Sequence, residues 1–325
     1  MPVETSLPPR NSTFNPDAWA KLAEHWYPVA LSREVSHSPV AAKLLDTPLV
    51  LYRIGGQVVA AYDQCPHRGV PLTRGHGDAE GIVCAYHGLR YGKEGRCTHV
   101  PAQPGANIPS KLRLRTYPTA EHYGLVWTCL RPDTPADIPS MPHWDEPSFQ
   151  QITCPSIDIF GFAGRQIEGF LDVAHFAFVH TRTFGDPNNT VVEPYMPVDT
   201  PKGFEVEYRS SVGNYPIGAH DRGREGFVWL RHFRVHMPLT ATLTVHFPDD
   251  GRLVIMNAAS PVSARVTRLF VPIARNFDKD LPVQQVYDFN RLIFEEDKAI
   301  VESQQPEWLP LDPLAEFHIM ADRSS

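Results

Sequence analysis

Cys65-Pro66-His67-Arg68-Gly69 and Cys84-Ala85-Tyr86-His87-Gly88 are two short loops, each carrying one thiol and one imidazole. The Cys-x-His and Cys-x-x-His spacings let both side chains of a loop point at one centre. Two cysteines and two histidines suit tetrahedral zinc. They equally suit a [2Fe–2S] cluster with two Cys on one iron and two His on the other. Ligand count alone does not separate the two. The pairing of types favours the cluster, because each loop gives one sulfur and one nitrogen and both must straddle the same two-metal unit. Pro66, Gly69 and Gly88 suit tight turns whose N–H groups face bridging sulfides.

Working outward, residues 49–54 and 58–62 are β-rich runs around Gly55-Gly56-Gln57, a hairpin that delivers the chain into the first loop. Residues 89–91 and the turn Lys93-Glu94-Gly95 make a second hairpin behind the other loop. Residues 112–117 and 123–129 read as further strands, and Trp26-Tyr27-Pro28-Val29-Ala30 as an entry strand. Ahead of it, Asn15 as N-cap and Pro16 at the first helical position predict a short helix through Glu24. Residues 1–145 therefore read as a small antiparallel domain, and the proline-rich passage 132–147 as a linker. Residues 146–325 form the second domain. Strand-like runs at 204–211, 227–233, 240–247, 253–260 and 266–272 predict one large antiparallel sheet, with helices near 166–180 and 283–304. The class is α+β.

Three hundred and twenty-five residues are enough for about two full cores. A net charge of −7 with no basic run argues against nucleic acid. Residues 1–12 are polar and proline-rich, unlike a signal peptide, and no stretch resembles a membrane span. Five cysteines are too few for a disulfide framework. Two are already engaged, and Cys97, Cys129 and Cys154 are expected as free thiols in a reducing cytoplasm.

A second constellation lies in Asp172-Val173-Ala174-His175-Phe176-Ala177-Phe178-Val179-His180. Asp172 and His175 share a face if the segment is helical. His180 lies five beyond His175, so the helix must bulge or end between them for both imidazoles to reach one metal. In the last helix Asp297 shares the apolar face of Ile293, Ile300 and Val301, where a carboxylate is costly unless paired or metal-bound. Glu295 should point to solvent, and Glu296 lies one residue from the same stripe. His175, His180 and Asp297 would together make the two-histidine, one-carboxylate facial triad of a non-heme Fe(II) oxygenase; the other reading of Asp297 is an internal salt bridge.

With these motifs the chain resembles the terminal oxygenase subunit of a Rieske non-heme iron oxygenase over nearly its whole length. The resemblance runs from Trp26-Tyr27-Pro28-Val29-Ala30 through both ligand loops, Tyr123-Gly124-Leu125-Val126-Trp127 and Asp172-x2-His175-x4-His180 to Glu296-Asp297-Lys298. Length and Asp137-Ile138-Pro139-Ser140-Met141-Pro142 liken it to the α-only branch of O- and N-demethylases. The resemblance implies a Rieske domain holding its [2Fe–2S] cluster through Cys65, His67, Cys84 and His87, and a helix-grip domain with mononuclear Fe(II). It implies O2 as co-substrate, a small organic substrate, and electrons from a separate NAD(P)H reductase or ferredoxin. A homotrimer with electron transfer between subunits, bridged by Asp172, follows from the same resemblance. One departure is Gly169, where many relatives carry asparagine.

Hydroxylation or demethylation of an aromatic or heterocyclic substrate is the leading reading. Ring cis-dihydroxylation uses the same metals and competes with it. A Rieske electron carrier without catalysis leaves the second constellation unused. Phe160, Phe162, Phe178, Trp229, Phe233 and Met256 are candidate pocket walls, with Phe176 and Phe178 foremost because they flank His175. His232, His236 and His246 could reach the pocket from their strands. Hydroxyl donors raise cluster potentials. Leu89 follows Gly88 and Tyr91 is the only nearby hydroxyl, so a low potential of about −150 mV is expected.

Overall fold

The structure, a computed structural model, describes residues 7–36, 38–131, 137–211, 213, 226–312 and 314–325. The chain divides into two compact units, Met1–Ile138 and Pro139–Ser325. Part of the expected linker, 132–136, lies outside the described residues.

The first unit opens with α1, Pro16–Leu22, which ends two residues earlier than the expected Glu24. The Asn15 side chain caps it by accepting from Ala18 N at 2.7 Å. Three antiparallel sheets follow. Tyr27–Leu31 pairs with Leu125–Thr128, which pairs with Thr119–His122. A four-stranded sheet runs Val40–Leu44, Thr47–Ile54, Gln57–Tyr62, Thr116–Tyr117, and another runs His76–Asp78, Gly81–Val83, Arg90–Tyr91, Cys97–His99. The expected strand at 112–117 shrinks to its last two residues, preceded by a single bridge from Arg113 to Arg96. The strand expected from Tyr123 begins at Leu125, because Tyr123 and Gly124 both have positive φ and form the turn of a hairpin. The two four-stranded sheets share a core of Val50, Tyr52, Val59, Ile82, Leu89, Tyr91 and Leu114, and Cys65 and Cys84 belong to it.

The second unit is built on one nine-stranded antiparallel sheet, counted among the described residues. Its centre is Gly203–Ser210, Trp229–His236, Thr240–His246 and the twelve-residue Arg252–Ser263. On one face Phe233, Leu243 and Ile255 stand in register across three neighbouring strands. The helices are α2 (Ala163–Leu171), α3 (Phe176–Val179) and α4 (Val283–Val301). Phe294 and Val301 of α4 join Ile255, Leu269, Val271 and Ile273 of the sheet in one apolar cluster. Lys298 ties α4 to the strand Ile157–Ile159 by donating to the Asp158 carbonyl at 2.7 Å. The expected single helix at 166–180 is two pieces: α2 stops at Leu171 because Asp172 takes an extended backbone (ψ 127°).

Candidate functional site

The hairpin Thr47–Ile54/Gln57–Tyr62 leads into the first loop, and Gly81–Val83 with Arg90–Tyr91 flanks the second. The loops are closed alike. Gly69 N donates to Cys65 O at 2.9 Å and Gly88 N to Cys84 O at 3.0 Å; Cys65 N and Cys84 N donate to the carbonyls of Val70 and Leu89. Both closures need a left-handed residue, and Gly69 (φ +74°) and Gly88 (φ +68°) supply it. Cys65 and Cys84 are 2% exposed while His67 and His87 are exposed, their ring centroids 4.7 Å apart. Burial pushes the Cys84 thiol up, and the N–H groups of Tyr86 and His87, aimed at its sulfur, pull the other way. Tyr91 places its hydroxyl 3.1 Å from Cys65 Sγ. Burial and the Cys65 sulfur both drive that phenol's pKa upward. Buried sulfurs met by N–H donors, opposite an exposed pair of imidazoles, fit a cluster sunk in the core on its sulfur side and open on its nitrogen side.

The second constellation is assembled by the broken helix. Asp172 Oδ1 accepts from Ala174 N at 2.7 Å, turning the chain into α3. The one-turn α3 is flanked by His175 as N-cap and His180 as C-cap. Asp172 and His175 are therefore not residues of one helix, yet Asp172 Oδ2 still reaches His175 Nδ1 at 3.4 Å. The Nε2 atoms of the two histidines face each other at 3.0 Å. Asp297 Oδ1 lies 3.5 Å from His175 Nε2 and 3.2 Å from His180 Nε2. Among the described residues this is the one trio of His, Cys, Asp or Glu with ligand atoms clustered this way. Metal bonds of about 2.1 Å put neighbouring ligands about 3.0 Å apart at right angles and about 3.4 Å apart at the tetrahedral angle. The observed 3.0, 3.2 and 3.5 Å span these two values and suit one ion held on one face by three protein atoms.

Burial disfavours the charged form of His175, but hydrogen bonds to Asp172 and Asp297 outweigh it and carry its pKa to about 9. Burial likewise opposes ionisation of Asp297, and the two imidazoles overcome it, holding the carboxyl below its ordinary value. Glu295 points to solvent beside Arg291. Glu296 turns inward: its Oε2 lies 3.0 Å from His180 Nδ1 and accepts from Thr183 Oγ1 at 2.7 Å, and its Oε1 accepts from Arg182 N at 3.2 Å. Spacing placed it only near the apolar stripe. Ile300, expected on that stripe, is 48% exposed.

Two cavities meet at the trio. One, about 440 Å³, has a mixed lining in which Gln166, Glu168, Asp172, His175, Asp297 and Gln304 stand with Val179, Ile300, Val301 and Phe317. A wall of it is the C-terminal stretch, held where the buried Arg165 pairs with both Glu168 and Glu316. The other, about 50 Å³, touches both histidines and Asp297 and is lined by aromatic and aliphatic side chains with a single amide, Asn290. Of the foremost wall candidates Phe176 lines it, whereas Phe178 faces outward at 69% exposed. Phe160 is also exposed, at 66%. Phe162, Trp229, Phe233 and Met256 do not line it, and their places are taken by Phe170, Phe184, Leu243, Ile255, Ile293 and Phe294. Nor do the three strand histidines line it: His232 pairs with Glu205, while His236 and His246 lie on the sheet away from both cavities' linings.

Residues 25–118 match the Rieske [2Fe-2S] domain, and residues 163–325 match the vanillate O-demethylase oxygenase C-terminal domain. Methylxanthine N1-demethylase of Pseudomonas putida is 32% identical over 320 residues, covering 94% of this chain and 86% of that one. Methylxanthine N3-demethylase of the same organism is 30% identical, covering 88% and 82%. The solved structure of the Pseudomonas putida CBB5 N1-demethylase with caffeine superposes with a TM-score of 0.81 at 29% identity, covering 93% of this chain and 87% of that one.

Proposed function

From the premise that this chain belongs to the Rieske oxygenases with a vanillate O-demethylase-type C-terminal domain, we propose that it oxidatively demethylates a small N-methyl heterocycle. Cys65, His67, Cys84 and His87 hold the [2Fe–2S] cluster, and His175, His180 and Asp297 hold the mononuclear iron. When bound, the two groups would supply single-electron relay and O2 activation. The observation that carries the reading is a three-ligand face with 3.0–3.5 Å spacings at the wall of an aromatic cavity.

The chain's own residues do the positioning. Phe170, Phe176, Phe184 and Phe294 exclude water from the reacting carbon and offer flat faces to a planar ring. Asn290, its Nδ2 committed to the Val286 carbonyl at 2.8 Å, is the polar group available to orient such a ring. The cavity is below the roughly 150 Å³ that accepts a benzene ring, so substrate entry turns one of these aromatic walls aside. Hydroxylation of a methyl carbon there leaves a hydroxymethyl amine, which releases formaldehyde.

Electrons come from a separate reductase or ferredoxin. The family resemblance implies an assembly of three copies, in which the exposed His67–His87 edge of one subunit would lie against the partly exposed Asp172 of the next. No helix among the described residues is long and apolar enough to cross a membrane. None of the five cysteines forms a disulfide, and with Cys65 and Cys84 given to the cluster the thiols of Cys97, Cys129 and Cys154 support a reducing cytoplasm. Turnover of N-methyl xanthines, methoxy-benzoates and aromatic acids with a surrogate reductase tests the function. Formaldehyde stoichiometric with an N-demethylated product supports it; a cis-diol without formaldehyde replaces it with ring dihydroxylation.

A further inference from the structure

Glu296 and Asp297 are consecutive on α4, yet their carboxylates sit on opposite sides of one imidazole. Asp297 faces His180 Nε2, and Glu296 faces Nδ1. The Glu296 side chain is 5% exposed, against 18% for Asp297 and 28% for Asp172. A carboxylate that deep is costly unless its oxygens are hydrogen-bonded. Its donors come from one turn. Thr183 N and Gly185 N both donate to His180 O, at 3.0 and 2.8 Å, which swings Arg182 N and Thr183 Oγ1 onto Glu296. A Cβ at Gly185 would meet the Phe176 carbonyl oxygen at 2.1 Å, so the turn admits glycine only. Phe184 then stacks on the His180 ring with centroids 4.6 Å apart.

We infer that Glu296 is a positioning residue for the metal centre: it accepts the Nδ1 hydrogen of His180, fixing the tautomer and ring angle that present Nε2 to the ion. This rests on the reading of His175, His180 and Asp297 as the iron site. A carboxylate behind a ligating histidine also makes the imidazole a stronger donor. The two histidines are then held unequally. His180 is clamped at 3.0 Å by a buried carboxylate with two further donors, whereas His175 has only a 3.4 Å contact to the more exposed Asp172. A structural link between the 180–185 turn and α4 would use the same contacts, so the test must read the metal.

The full chain with its Rieske cluster is compared with Glu296→Gln, Glu296→Ala, Thr183→Val and His180→Ala. Anaerobic equilibrium dialysis against Fe(II) gives mononuclear affinity, and the EPR lineshape of the Fe(II)–nitric oxide adduct reports ligand geometry. Cluster absorbance counts folded protein. Glu296→Ala should bind mononuclear iron about 10–100-fold more weakly, with an altered lineshape. Glu296→Gln keeps an oxygen acceptor for Nδ1 and should recover most of the affinity. Thr183→Val, which removes one donor to Glu296 together with the hydroxyl's longer 3.3 Å contact to the His180 carbonyl, should fall between wild type and Glu296→Ala and serves if Glu296→Ala does not fold. Wild-type affinity and lineshape in both Glu296→Ala and Thr183→Val overturn the inference, as does Glu296→Gln binding no better than Glu296→Ala. His180→Ala retaining mononuclear iron overturns the site assignment beneath it instead.

Discussion

The Tyr91 hydroxyl stands 3.1 Å from the Cys65 sulfur, inside the core shared by the two four-stranded sheets. A hydrogen bond to a ligating sulfur favours the reduced cluster, so Tyr91→Phe should lower its midpoint. A differential of about 1 kcal/mol corresponds to about 40 mV in a one-electron couple. As this is the one hydroxyl on either loop's sulfur among the described residues, the wild-type midpoint is expected near −150 mV, the low end of the Rieske range. EPR-monitored titration of both proteins reads the values, and an unchanged midpoint in the variant would detach the hydroxyl from the cluster.

Asp297→Ala should lose the mononuclear iron and all turnover while keeping the Rieske spectrum. Glu295→Ala, altering a side chain 56% exposed, should leave both intact. Iron and sulfide assays should find three irons and two sulfides per chain in the wild type. Full mononuclear occupancy in Asp297→Ala would move the carboxylate ligand elsewhere.

Asp172→Asn preserves size and the Asx turn to Ala174, but removes the charge facing His175 Nδ1. Both metals should remain. Electron delivery should fail, slowing cluster reoxidation by at least about tenfold in a single turnover of pre-reduced protein with substrate and O2. Normal reoxidation would remove Asp172 from the path.

Metal uptake should depend on pH with a defined sign. The metal needs a neutral imidazole, and in the iron-free protein His175 holds its proton up to a pKa of about 9. Apparent Fe(II) or Co(II) affinity should therefore climb with pH, by up to about tenfold per unit, and level off near 9. Stability of the iron-free protein should run the other way. The raised pKa contributes fully below the ordinary 6.5 and is lost as pH rises through about 9. Dialysis and thermal unfolding across that range measure both trends, and a flat affinity would contradict the cause given for the shift.

The loops at Cys65 and Cys84 were legible because metal-binding loops compress their chemistry into a few adjacent residues. His175, His180 and Asp297 were legible by type and spacing. What joins them was not. Periodicity treated 166–180 as one helix, whereas the Asp172 side chain bonds its own backbone two residues on and breaks it. That break turns Phe178 outward and lets Phe184, nine residues after His175, become a wall. Glu296 escaped for a related reason: a helical wheel gives the direction of Cβ, while a glutamate's long side chain goes where donors wait, here on a turn 113 positions earlier. Residues 112–115 had strand composition, but their pairing is reduced to the single bridge between Arg113 and Arg96 and scattered backbone bonds such as Leu114 N to Gly95 O.

His180 and Asp297 are separated by 117 positions, and most of the large sheet lies between them. The chain can therefore lengthen or shorten at an exposed hairpin tip such as Asp249-Asp250 without disturbing the site. One residue inserted between Phe294 and Asp297 is another matter. At about 100° per residue, it would rotate the aspartate off the centre and carry Glu296 away from His180 together with it. Insertions and deletions in descendants of this gene should accumulate in the turns and spare the last two turns of α4.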